Sequence, residues 1–397
     1  MSPQEVRKEM DSRSRYGFYQ LARSQGMINM DHNTANTIYT EFISARKQQD
    51  TKDTVLGLAD KYKLKVADIT ALALVTFRVP DITDKHDRLP PSQHKQVSHE
   101  LLLGCVKAKD PLATLHLLSA VNNKDTIAVA RNTFNFLTSK DIQLCHGILS
   151  EFAEQGNADA LTLKGQFLEQ EGRKEEAQKL YEKAMTLKDT KYNPANQELL
   201  PMAIPVIPPW NAFGSMLLAS KDPASRQRAK EVLEIGAFKG DDPLAYYHLA
   251  SLEDGQTGNW LKFMTKAAAS GHAVAMYEIA NFYANASSDG KLNPSIPMDS
   301  ILTKALSWLA NWKSGGPLRL AQEWFELAAR KGYKPAMIEL VDLYEVNGYA
   351  DMVVAVLENM VEPPAKGKVE TWPALVTEAR ERLPAARARL KASLAKE

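Results

Sequence analysis

The ten residues DPLATLHLLS at 110–119 come back as DPLAYYHLAS at 242–251, with seven letters identical and in register. A phrase written twice in one chain marks a structural unit used more than once, and units of this size are stable only when stacked on one another. The phrase itself describes a helix entrance. Its Asp carboxylate accepts from amides that have no partner in the first helical turn, and Pro fits there because its missing N–H is not needed. Leu244, Tyr247, His248 and Ala250 then follow at helical spacing.

Further copies appear once the spacing is known. Residues 263–283, FMTKAAASGHAVAMYEIANFY, align with 324–344, WFELAARKGYKPAMIELVDLY, at a constant offset of 61. Ala267, Ala268, Gly271, Ala275, Met276, Glu278 and Tyr283 meet Ala328, Ala329, Gly332, Ala336, Met337, Glu339 and Tyr344. GAFKGDDPLAYYHLA keeps Ala237, Gly240 and Ala245 with one extra residue. EFAEQGNADALTLKGQFLEQEG keeps Ala153, Gly156, Ala160 and Gly165, and Gly172 and Gly348 each fall twelve residues after an aligned alanine, Ala160 and Ala336. The residue types predict one geometry. Paired alanines let two helices approach, and the following Gly supplies the left-handed conformation that ends a helix. The next Ala begins an antiparallel partner. Phe263, Tyr283, Trp324 and Tyr344 fill the wider gaps between hairpins, and stacking hides the apolar face each hairpin has alone.

On these letters LKFMTKAAASGHAVAMYEIANFY (261–283) resembles a Sel-one-like repeat, a relative of the tetratricopeptide repeat. The stretch 158–184, ADALTLKGQFLEQEGRKEEAQKLYEKA, is similar to a tetratricopeptide unit through Gly165, Leu168, Ala177, Tyr181 and Ala184. The resemblance covers residues 150–360. It implies an all-α fold: an α-solenoid of antiparallel helical hairpins, with an irregular helical N-terminal region and a C-terminal capping helix. It also implies a non-catalytic adaptor or scaffold, an assembly factor that binds a protein or peptide partner along the concave face, within a larger complex and without a cofactor. A second resemblance competes. Residues 332–362, beginning Gly-Tyr-Lys-Pro, are similar to a pentatricopeptide hairpin. That implies RNA binding in organellar gene expression. Arrays that track RNA need a basic groove to neutralise phosphates. This chain has 49 Lys and Arg against 48 Asp and Glu, so a protein partner is favoured over RNA.

The remaining chain divides by composition. Residues 1–96 read as an N-terminal helical region, with helices over 32–48, 51–62 and 65–78 and a polar loop over 80–96. Residues 97–188 read as degenerate repeats ending in the tetratricopeptide-like unit, 211–360 as Sel-one-like repeats, and 361–397 as a basic capping helix kinked at Pro384. The proline-rich connection, 189–210, contains PMAIPVIPPW, which is expected to be non-helical and to lay Met202, Ile204, Val206 and Ile207 on a neighbouring hairpin. SSDGKLNPSIPMD (287–299) is expected to be a plain loop. Acidic Glu5, Glu9 and Asp11 spoil a mitochondrial leader at the start of the sequence as given. With two cysteines and no apolar run of spanning length, the expectation is an intracellular protein of the mitochondrion or cytosol without a membrane span.

Motifs of chemistry are sparse. No phosphate-cradling Gly loop, nucleophile elbow or zinc-binding His-Glu helix is present. His86, His94, His99 and Cys105 are near one another at irregular spacing and match no metal site. Adjacent Cys145 and His146 diverge by about 100° on a helix, too far apart for a nucleophile and its base. LADKYKLKVADITALA (58–73) is a weak helix-turn-helix candidate whose second helix is too apolar to read DNA. No catalytic or metal-ligating residue is therefore expected.

The partner surface is the remaining asset. Counting from Ala160, Ala245, Ala275 and Ala336, the resemblance puts Thr162, Gln166 and Glu169 on the concave face, then Tyr247, Ser251 and Asp254, Tyr277 and Asn281, and Ile338, Asp342 and Glu345. That set mixes aromatic anchors with carboxylates and holds no basic side chain, which predicts a basic or apolar partner segment.

Overall fold

A computed structural model describes residues 2–81, 89–188, 202–220, 222–253, 257–288, 291–292, 316–363 and 370–395. Its first part runs α1 (Pro3–Ser24), α2 (His32–Ala45), α3 (Thr51–Tyr62), α4 (Val66–Phe77), α5 (His94–Lys107), α6 (Pro111–Asn122), α7 (Ala128–Phe134), α8 (Ser139–Glu154), α9 (Ala158–Gln170) and α10 (Lys174–Leu187). After the connection come α11 (Pro209–Ala219), α12 (Pro223–Glu234), α13 (Pro243–Leu252), α14 (Gly258–Ala269) and α15 (Ala273–Ala286). The last four are α16 (Gly316–Arg330), α17 (Lys334–Val346), α18 (Ala350–Val361) and α19 (Pro373–Leu394). The fold is all-α, an α-solenoid of antiparallel hairpins closed by a C-terminal helix. Its one β feature among the described residues is a two-residue antiparallel pair, β1 (Ser287–Ser288) with β2 (Lys291–Leu292), at the start of the stretch expected to be plain loop.

One closure recurs at the hairpin turns. The amide after the left-handed residue donates back five positions, as in Asn157 to Phe152, Arg173 to Leu168, His272 to Ala267, Tyr333 to Ala328 and Tyr349 to Tyr344. The residue between is Gly156, Gly172, Gly271, Gly332 or Gly348, each with positive φ, as the spacing predicts. Two further turns use the same bond without glycine: Leu64 donates to Ala59 and Asp110 to Cys105, with Lys63 at φ 54° and Lys109 at φ 59° between them. Gly240 departs from expectation. Its φ is −94°, and the left-handed position passes to Asp241 at φ 46°. The one extra residue seen in this copy is absorbed as a π-helical turn, Ile235–Lys239, so Asp242 donates back six positions, to Gly236.

The chain resolves into two compact units, residues 1–212 and 213–397. In the first, α4 is buried throughout from Ile69 to Phe77 and packs on α1, α3, α5 and α6. A helix apolar on all sides needs such company. It is the second helix of the weak helix-turn-helix candidate, and its buried surface offers nothing to a DNA groove. The helix α1 had no anticipated counterpart in the sequence. It carries a buried charged line: Arg7 donates to the Pro90 carbonyl at 2.6 Å and meets Asp11, which accepts from Ser92. One turn on, Arg15 lies over the Tyr39 ring at 4.0 Å and donates to Nε2 of fully buried His94. His94 opens α5, so the helix begins inside the span expected to be loop.

The connection behaves as predicted in most of its described part. Met202 and Val206 pack on the main core, and Ile204 packs with Ala120 and Ala130. Ile207 faces solvent instead. Pro209 and Trp210 belong to α11 rather than to the loop, because proline is tolerated in a helix's first turn.

In the second unit each helix packs chiefly on its sequence neighbours: α13 on α14, α14 on α15, α15 on α16, α16 on α17, α17 on α18 and α18 on α19. That is the contact pattern of a one-dimensional stack. The last helix continues through Pro384.

Candidate partner-binding face

Three helices of the second unit present the same face. Ala245, Tyr246, Leu249 and Ala250 of α13 are buried, as are Ala275, Met276, Ile279 and Ala280 of α15 and Ala336, Met337, Leu340 and Val341 of α17. The two positions between these pairs are half-buried in every copy: Tyr247 and His248, Tyr277 and Glu278, Ile338 and Glu339. Within the aligned segments, residues 275–280 and 336–341 thus match position by position in burial, as a repeat requires.

Rings link one copy to the next. Each of the later helices is preceded by an aromatic residue: His272 before α15, Tyr333 before α17 and Trp372 before α19. Tyr247 stacks on His272 with ring centroids 4.3 Å apart. Tyr277 meets Tyr333 at 5.3 Å and Phe325 at 5.8 Å, and Tyr333 meets Trp372 edge-on at 5.3 Å. Trp372 in this row makes α19 the positional successor of α17, the place a further repeat's first helix would take. His272 also accepts the Ala275 amide at Nδ1, 3.2 Å away, doing for α15 what the Asp242 carboxylate does for α13. Burial, followed by the field of His248, keeps His272 below the usual histidine range.

Two carboxylates stand out in this setting. Burial pushes Glu278 above the usual carboxylate range, and burial with Asp342 nearby does the same to Glu339. Neither has a hydrogen-bond or ion-pair partner among the described residues. Glu278 lies within the electrostatic reach of Tyr247 and Tyr333, whose phenols are raised chiefly by burial and further by that carboxylate.

The residues anticipated for the partner surface meet different fates. Tyr247, Tyr277, Asn281 and Ile338 are half-buried on the repeated face. Ser251 is exposed but turns its hydroxyl onto the His248 carbonyl, and Asp254 lies outside the described residues. Asp342 and Glu345 both accept from Arg382 of α19, and Arg389 lies 3.3 Å from Glu345. In the first unit Thr162 is fully buried, Gln166 accepts from Asn122, and Glu169 accepts from Tyr181, the other helix of its own hairpin. Sequence reasoning passed over His272, Tyr333, Trp372, Glu278 and Glu339. The signal for two of them was present, since Glu278 and Glu339 are matched letters at the 61-residue offset.

The metal candidates do not converge. His94 meets Arg15, His99 lies 4.0 Å from Asp141, and Cys105 is fully buried with its thiol pushed up to about 12 by that burial; His86 lies outside the described residues. Among the described residues no three His, Cys, Asp or Glu groups gather to hold a metal ion, and no described helix is long and apolar enough to cross a membrane.

No protein-family model matches the chain, and no curated protein matches it. Among solved structures it is similar to a protective antigen present in uropathogenic Escherichia coli strains displaying an SLR fold, at 16% identity. That alignment covers 89% of this chain and 92% of the antigen with a TM-score of 0.21, a superposition too poor to bear on fold or function.

Proposed function

We propose that this chain is a non-catalytic scaffold of Sel-one-like repeats that binds a protein or peptide segment across α13, α15 and α17, as one member of a larger assembly. One observation carries the reading. Three helices repeat the same burial pattern and leave the same two positions half-exposed, with aromatic rings running between copies. Tyrosines at such positions offer large contact area at low entropic cost and a polar tip for hydrogen bonding. Of the residues named from sequence, Tyr247, Tyr277, Asn281 and Ile338 form the proposed surface. Gln166, Glu169, Asp342 and Glu345 make intramolecular bonds and join it only if those bonds exchange.

A photo-crosslinking side chain at Tyr277, with one at exposed Lys179 as control, tests the reading in the native source. Protein adducts specific to position 277 support it. Adducts to RNA at that position, or identical products from both positions, overturn it.

A further inference from the structure

We propose that Glu278 and Glu339 are receptor sites for lysine or arginine side chains of a basic polypeptide segment, with Tyr247, Tyr277 and Tyr333 as the walls of the first site. The proposal rests on the protein-binding reading above and specifies the chemistry of the partner.

A half-buried carboxylate without a partner is costly to keep. Here the same residue type stands at the same repeat position twice, half-buried both times. The nearby groups supply no compensating cation. His248 and His272 are both held below the usual histidine range, chiefly by burial. Tyr247 and Tyr333 are raised and stay neutral, and Asp342 adds negative charge beside Glu339. A cation entering between the rings would gain the carboxylate and the negative faces of the aromatics together, the arrangement that favours Lys and Arg.

The molecule contains a worked instance of this recognition. About one and two turns beyond Glu339 on α17, Asp342 and Glu345 both take the Arg382 guanidinium of α19. The acidic character of this face is thus met by arginine where the chain itself supplies a helix, and is unmet at Glu339 and Glu278. A phosphate backbone would meet carboxylates at both sites, which sets RNA against the charge pattern.

The test uses the full-length chain and short synthetic peptides of one composition graded in net charge from acidic to basic, with an oligouridine of similar length alongside. Binding is read by fluorescence anisotropy. Affinity should rise with positive charge, and Glu278→Gln with Glu339→Gln should weaken the most basic peptide about tenfold while leaving neutral peptides unchanged. Tyr247→Ala with Tyr277→Ala should weaken every peptide. Circular dichroism confirms folding of each variant. Affinity independent of charge, preference for acidic peptides or oligouridine, no peptide binding, or an unaltered charge profile in the glutamine variant overturns the proposal. If tyrosine loss lowers binding while glutamine substitution does nothing, the cation site is wrong and the protein-binding reading stands. If tyrosine loss does nothing either, both fall.

Discussion

The Nδ1 atom of His116, on α6, accepts the backbone N–H of Ile204 at 3.0 Å. One histidine thereby fastens a proline-rich connection to the first unit's helices, and the second copy of the phrase has no use for it: His248 sits beside Tyr247 instead, ring centroids 5.8 Å apart. Burial, then the field of Arg78, pushes His116 down to about 3 from an ordinary 6.5. The folded chain therefore refuses a proton that the unfolded chain takes up below pH 6.5, so stability falls as pH drops from there toward 3. The contribution is roughly 1.4 kcal/mol per pH unit for one such proton. His116→Asn keeps an acceptor near the Nδ1 position without the titration, and its melting temperature should decline less between pH 7 and pH 5 than the parent's. His116→Ala orphans the Ile204 amide and should cost about 2–4 kcal/mol. Thermal denaturation at several pH values checks both. An unchanged acid slope in the Asn variant would count against this assignment.

Glycine at the hairpin turns makes a sharper prediction. Gly332 has φ 81° and open space where a Cβ would go, so Gly332→Ala should cost about 1 kcal/mol from backbone strain alone. Gly240→Ala should be nearly neutral, because Gly240 is helical at φ −94°. Gly104→Ala should be worse than either, since its Cβ would meet the Thr51 carbonyl oxygen at 2.7 Å and backbone cannot step aside. Chemical denaturation of the three variants ranks them. Equal losses at 240 and 332 would mean that the π-helical turn does not form.

That ranking also marks how far the letters could be read. Ala-Ala, Gly and Ala at fixed spacing announce the closure at 271 and 332 because few other residues tolerate it. Lys63 and Lys109 make the same closure, and nothing in a lysine advertises a left-handed backbone. The extra residue before Asp242 was visible as a misfit, but whether it enters a loop or a π turn is decided by packing. The Arg7, Asp11, Arg15 and His94 network was illegible for a related reason: charged residues at helical spacing read as a solvated face, and only the fold brings Pro90, Ser92 and His94 alongside to bury them. On the partner face, the tyrosines could be named from spacing. Their engagement with the ring ahead of the next helix depends on contacts between copies, which spacing within one copy does not encode.

Arg382 changes what a charge reversal on α17 measures. Asp342→Lys with Glu345→Lys would set two cations against Arg382 and Arg389, so the first effect should be loosening of α19. Hydrogen exchange over residues 373–394 should accelerate in that variant, and Arg382→Glu added to it should restore much of the protection. Arg382→Ala alone should cost about 1 kcal/mol, the scale of a partly exposed ion pair. Loss of partner binding in the lysine pair therefore implicates the surface only if α19 exchange is normal. Unaltered exchange in the lysine pair would show that α19 is held by its apolar contacts with α18 and not by this bridge.

A carboxylate kept for a partner should burden the free protein. Glu278 lies above the usual carboxylate range because of burial; Tyr247 and Tyr333 are within its electrostatic reach, and His272 stacks on Tyr247. Its folded state binds the proton more tightly than its unfolded state. Stability thus falls as pH rises from the ordinary Glu value of 4.5 through the raised one, so a penalty absent in acid is present at neutral pH. Glu278→Gln removes it. The variant should be more stable than the parent near pH 7, by less than about 1 kcal/mol because the group is half-exposed and screened. The gain should disappear near pH 4, where the parent's carboxyl is largely protonated in both states. Glu100→Gln, which takes the negative charge out of the 2.7 Å ion pair with Arg46, should instead leave the protein somewhat less stable at pH 7. A Glu278→Gln variant that is less stable at pH 7 would mean that its carboxylate has a stabilising role in the free chain, and the argument for a site held open for a cation would be lost.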